Sequence, residues 1–221
     1  MLYLIVVVFC AGFLTNCAFV AAGAAAARYF GVRVMKAQIG WFPIFRRGRL
    51  HFGLIPMGSF IRFAHSSEDA GSIDDSALLD RKPRWVRALL SLVGVAGMFL
   101  LAFALRGIDA WHSFAHGFGQ FIEGTLAPVE RGAALLRGYA LVAEDLGAVV
   151  AVSVFAAKTA AINLLPVPSF AGGQALLELL GATGPGPAAD RCLKVLTHIS
   201  VYLLLGVGCL WIRALVEAVK R

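Results

Sequence analysis

Four long apolar runs, 2–27, 86–105, 146–165 and 195–212, constrain this chain more than any other feature. At 1.5 Å per residue, each can cross about 30 Å of hydrocarbon as a helix. A backbone in lipid must satisfy its own polar groups, which makes such runs helices packed as a bundle. Of the 221 residues 59% are hydrophobic and the mean hydropathy is +0.79, values above those of a soluble domain. The length suits a single membrane domain over 1–221.

The net charge of +7 would suggest a nucleic-acid partner if it were spread evenly. It is not. Between the first two runs lie Arg28, Arg33, Lys36, Arg46, Arg47, Arg49, Arg62, Arg81, Lys82, Arg84 and Arg87. Between the second and third lie Arg106, Arg131 and Arg137, against Asp109, Glu123, Glu130, Glu144 and Asp145. The positive-inside rule places the loop 28–87 in the cytoplasm and 107–145 outside, as in a bacterial inner (plasma) membrane. The expected partners are membrane lipids and other membrane proteins, with no nucleic acid.

Between the runs the pattern changes. Residues 31–63 carry β-branched and aromatic residues around Arg46-Arg47-Gly48, which predicts a membrane-associated β-hairpin on the cytoplasmic side. Residues 65–76 are rich in Ser, Asp and Glu and predict a flexible linker. In 107–145, Trp111, Phe114, Phe118 and Phe121 recur at helical spacing, predicting an amphipathic helix in the interface. The four cysteines have no CxxC spacing and read as small apolar side chains.

One stretch carries chemical information: Asn163-Leu164-Leu165-Pro166-Val167-Pro168-Ser169-Phe170-Ala171-Gly172-Gly173-Gln174. It resembles the Asn-Leu-Leu-Pro-x-Pro-x-Leu-Asp-Gly-Gly-His signature of the site-2 protease family, zinc metalloproteases that cut within the membrane. Further segments follow the family in order. Phe30-Gly31-Val32-Arg33-Val34 is similar to the stretch after the catalytic helix, and Ile39-Gly40-Trp41-Phe42-Pro43 to a Gly-Phe-Gly-Pro turn. Leu54-Ile55-Pro56-Met57-Gly58-Ser59-Phe60 resembles part of the membrane-associated β-structure, and Arg84-Trp85-Val86-Arg87-Ala88 the start of the second core helix. The resemblance implies an all-α membrane bundle of about four transmembrane helices with a small β-hairpin element, and no room for an inserted PDZ domain.

The family's working residues are another matter. Its His-Glu-x-x-His motif sets two zinc-binding His four residues apart on one helix face, with a Glu as general base. Counted back from Phe30, the corresponding positions are Phe19, Val20 and Gly23. The family's Asp ligand corresponds to Ala171, its following His to Gln174, and an Asn of its second helix to Met98. A zinc hydrolase needs about three protein ligands and an open position for water. The resemblance therefore implies a catalytically degenerate member with no cofactor.

Other polar residues merit attention. Asp109, His112 and His116 stand three and four residues apart, a spacing that could converge on one ion as a rearranged metal site. Lys158 sits mid-run, where an ammonium is costly and marks a functional site by default. Three roles are open to it: filling the vacated metal region, pairing with an acidic residue of a partner, or snorkelling towards Glu144 or Asp145. Asn163, Pro166 and Pro168 break a helix and free backbone groups, as a binding site for an unwound strand would. Lys158, Asn163, Pro166 and Pro168 are accordingly the expected partner-binding residues. The expected function is a non-catalytic scaffold, assembly factor or regulator that binds transmembrane segments. The alternatives are a structural subunit of a larger membrane complex and an active metalloprotease with a rearranged site.

Overall fold

The computed structural model describes residues 2–66, 73–181 and 187–220. Helix α1, Leu2–Tyr29, is apolar on all sides. Its 28 residues span about 42 Å. It stops in a Schellman arrangement, with Gly31 N–H donating to Arg28 O at 3.2 Å and Val32 N–H to Ala27 O at 2.8 Å.

Strands β1, Val34–Arg47, and β2, Leu50–Phe63, form an antiparallel hairpin. The hairpin is bent: residues 34–39 pair with 59–63, and 41–47 pair with 50–55. The bend falls at Gly40 and Phe42, both in the left-handed region at φ 80° and 56°. It folds the tip back, so that Ala37, Gln38 and Ile39 also pair with Leu50, His51 and Phe52. The hairpin does not stay at the end of α1, as a surface hairpin would. Asn16, mid-helix and buried, donates from Nδ2 to Pro56 O at 2.9 Å and to Gly12 O at 2.8 Å. The hairpin thus runs back along about half of α1, with Ile61 against Gly23.

Of the linker expected at 65–76, residues 67–72 lie outside the described residues. Asp74, Asp75 and Ser76 are exposed, and the chain beyond them is packed. Residues Asp75–Ala77 and Leu79–Arg81 form two short 3-10 turns with Leu78 and Leu79 buried. Leu79 N–H bonds Ala64 O at 2.8 Å, and Asp80 accepts from the Ser66 amide at 3.0 Å and from the Ser66 hydroxyl.

Helix α2, Arg84–Arg106, starts after Pro83 and ends at Gly107. Helix α3, Ile108–Leu126, folds back on it, and a π turn, Pro128–Gly132, leads to α4, Ala133–Asp145. The segment 107–145 is therefore part of the bundle and not a single interfacial helix. Phe99 of α2 meets Trp111 and Phe114 edge-on, at centroid distances of 6.0 and 5.0 Å. Aromatic spacing alone cannot distinguish a lipid interface from a neighbouring helix.

Helix α5, Ala148–Asn163, occupies the middle of the bundle, with Ala151, Val152, Ser153, Val154, Ala156, Ala157, Ala160 and Ala161 buried. It packs on α1, α2 and α3, and Ser153 Oγ donates to Ala102 O of α2 at 2.9 Å. Its 16 residues reach about 24 Å, shorter than the run 146–165 suggested. Helix α6, Ala171–Leu180, is short, and α7, Pro187–Lys220, is long and largely exposed. Among the described residues three helical stretches are long and apolar enough to cross a membrane: Leu2–Tyr29, Arg84–Arg106 and His198–Ala218. With the shorter α5 they account for the four runs.

Candidate functional site

Helix α5 ends at Asn163 because Pro166 and Pro168 cannot continue its hydrogen bonding. Asn163 Nδ2 donates back to Thr159 O at 2.9 Å. The chain then turns through Val167 N–H to Leu165 O and Phe170 N–H to Val167 O, both at 2.8 Å, before α6 begins at Ala171. Ser169 makes a hydroxyl contact with Ser200 of α7.

Beside this break lies a cavity of about 700 Å³. Phe19 and Gly23 of α1, Gly94 of α2 and Asn163, Pro168 and Ala171 of the break line one part of it. Residues Ser59, Phe60, Ile61, Arg62 and Phe63 of β2 line another. Pro166 is exposed and lies outside the lining. Phe19 lies flat on α2, so that a Cβ at Gly94 would come within 2.4 Å of its ring. Phe19 also packs on the buried cluster of Val95, Met98, Ala160 and Ala171. Val20 turns away from the cavity, into a second cluster with Ala37 and Ile39. Positions 19 and 23 of α1 thus meet position 171 around one cavity, and Met98 packs with Phe19 and Ala171.

Glu178, which also lines the cavity, has its Oε2 3.2 Å from Arg87 Nε, joining α2 to α6. The two side chains are only 11% and 14% exposed. Since Arg87 Nε makes no hydrogen bond of good geometry, this is a contact of charges and not an aligned bond.

The family model of Peptidase family M50 matches residues 22–207. The chain belongs to peptidase family M50, the site-2 protease family. The matched stretch starts inside α1, just past Phe19 and Val20, and takes in Gly23, the hairpin, the helix break and Ala171. A search of curated proteins gives no match.

An M50 fold implies zinc, and the positions that the resemblance matches to its ligands and base do not fit one. Phe19, Val20, Gly23 and Ala171 carry no ligating atom, and Phe19 and Ala171 contribute to an apolar cluster instead. Nor are Asp109, His112 and His116 gathered around a common point. Asp109 pairs with Arg106 at 3.8 Å, and His116 Nδ1 lies 2.8 Å from the His112 carbonyl, on an exposed face of α3. Among the described residues no three His, Cys, Asp or Glu side chains are arranged to hold a metal.

Lys158 is half-buried on α5 with its backbone against Gly117 of α3, and it does not line the cavity. The role of filling the vacated metal region therefore falls away. No ion pair joins it to Glu144 or Asp145, which stand at the far end of α5, about 20 Å along the axis. Asn16 and the Arg87–Glu178 pair escaped the sequence reading. An Asn inside an apolar helix is itself a signal for a buried hydrogen bond.

Proposed function

We propose that this M50 member works without catalysis, as a scaffold, assembly factor or regulator that binds transmembrane segments of partner proteins. One observation supports this reading: the cavity is lined by Phe19, Gly23 and Ala171, the residues that the resemblance matches to catalytic positions, together with Asn163, Pro168 and one side of β2. Apolar groups in place of zinc ligands remove the means of activating water. The strand segment 59–63 pairs with β1 along one edge, and its side chains line the cavity. An unwound segment of another chain could add there by backbone pairing. Asn163, Pro168 and Ser169 at the helix break line the same cavity. In this reading the loop 28–87 is cytoplasmic and the chain sits in a bacterial inner membrane.

A second reading, a permanent subunit of a larger membrane complex, is favoured by α7. Its apolar face at Ile199, Tyr202, Leu203 and Leu210 is exposed.

The test combines metal analysis with capture. Purified protein should contain no zinc in the bundle, and a photo-crosslinker at Ser59 or Ser169 should capture membrane proteins. A crosslinker at Leu146, exposed and away from the cavity, should not capture the same ones. One zinc per chain that survives His112→Ala with His116→Ala would overturn the non-catalytic reading. Capture from Leu146 alone would move the partner to another face.

A further inference from the structure

The bent hairpin separates its residues by chemistry. The outer face of the bend is apolar and uncovered: Trp41, Phe42, Ile44, Phe45 and Leu54 are all more than half exposed. The folded-back tip is cationic. Arg46, Arg47 and Arg49 are exposed there. Ala37 N–H bonds Arg49 O at 2.8 Å, and His51 pairs with both Gln38 and Arg46. That brings the tip beside Lys36, whose Nζ lies 5.0 Å over the Phe60 ring. No Asp or Glu occurs anywhere in 29–66 to neutralise these charges.

The depth of this cluster follows from α1. A 28-residue helix of about 42 Å overhangs a 30 Å core by about 6 Å at each end if centred. Ala37 and Leu50, which flank the basic tip, pack on Val20. That level is about 13 Å from Tyr29 and so about 7 Å inside the hydrocarbon boundary. Arginine and lysine side chains are long enough to carry their charge from there to the headgroup layer. The aromatic bend, next to Pro56 at the level of Gly12 and Asn16, lies deeper.

We propose that the folded-back tip, Lys36, Arg46, Arg47 and Arg49, is a binding surface for the phosphate headgroups of anionic phospholipids, with the aromatic bend as its anchor among the acyl chains. Charge complementarity and depth select this occupant: four cations, with no Asp or Glu in 29–66, lie within side-chain reach of the headgroups beside an apolar surface that water would not favour. Holding the hairpin in one leaflet also fixes β2 beside the cavity.

Native mass spectrometry of the full chain, released from equal mixtures of phosphatidylglycerol and phosphatidylcholine, tests the proposal. The wild type should retain phosphatidylglycerol preferentially. K36Q/R46Q/R47Q/R49Q should lower that preference by at least about fivefold, the factor expected from one surface cation. R131Q/R137Q, which removes charge elsewhere, should leave it unchanged. If the fourfold variant does not fold, R46Q/R47Q, confined to exposed side chains, should give a smaller loss in the same direction. No preference in the wild type, or a preference kept by the variants, overturns the proposal. Displacement of the lipid by soluble glycerol phosphate would show a site for free phosphate and overturn the lipid assignment.

Discussion

At the scale of single residues, buried polar groups matter most, because nothing in an apolar interior replaces a lost partner. Asn16 is 5% exposed and its side-chain amide holds Pro56 O against α1. Asn16→Leu leaves that carbonyl unsatisfied, and the expected loss is about 1–3 kcal/mol. Thermal unfolding in detergent measures it, and an unchanged midpoint would show that the contact holds nothing. Lys158 is the opposite case, a cation with no ion pair among the described residues. Lys158→Met should leave the isolated chain as stable or more so, since Met suits the surroundings better than an ammonium. If a partner carboxylate pairs with Lys158, the same change should release that partner in co-purification. Undiminished recovery would remove Lys158 from the binding residues.

At the scale of elements, the hairpin and its return strap form a unit. Asp80 fastens the strap by accepting from Ser66. Burial alone would raise the Asp80 carboxyl, but the hydroxyl and amide bonds from Ser66 outweigh it and hold it below the ordinary 3.8. A carboxyl depressed by folding stabilises the folded form above its unfolded value, and the contribution is lost as pH falls through the lower folded value. The Ser66 amide should therefore stay fully protected from hydrogen exchange from neutral pH down to about 3.8, and lose that protection only as pH falls further, through the lower folded value. Asp80→Asn should abolish that dependence. A protection profile identical in wild type and variant would mean that the strap is held by other contacts.

At the scale of the molecule, the proposed orientation rests on the uneven charge of the loops. A thiol introduced at Ser76, exposed in the strap, should react with an impermeant reagent only from the cytoplasmic side. One at Gly119, open on α3 with nothing within 4 Å of an added Cβ, should not react from that side. Labelling of Ser76 from outside would invert the arrangement. The folding of α3 back against α2 and α5 makes this a demanding test, since a site on a packed helix reports depth as well as side.

Several of these features were legible without coordinates. Apolar runs longer than the hydrocarbon core specify helices because an isolated backbone in lipid has no other way to satisfy itself. Membership of the family was also readable, from the spacing of the residues Asn163 to Gln174 and the segments that precede them. The tertiary structure alone decided that Phe19, Gly23 and Ala171 gather at one cavity, that Val20 faces the sheet instead, and that Lys158 stands apart. It also decided the fold-back of the hairpin and the shortness of α5. The reason is physical. Hydrophobic periodicity records that a face is buried but not what buries it. Phe114 could have met lipid and met Phe99; Asn16 could have been one polar atom too many and instead found Pro56.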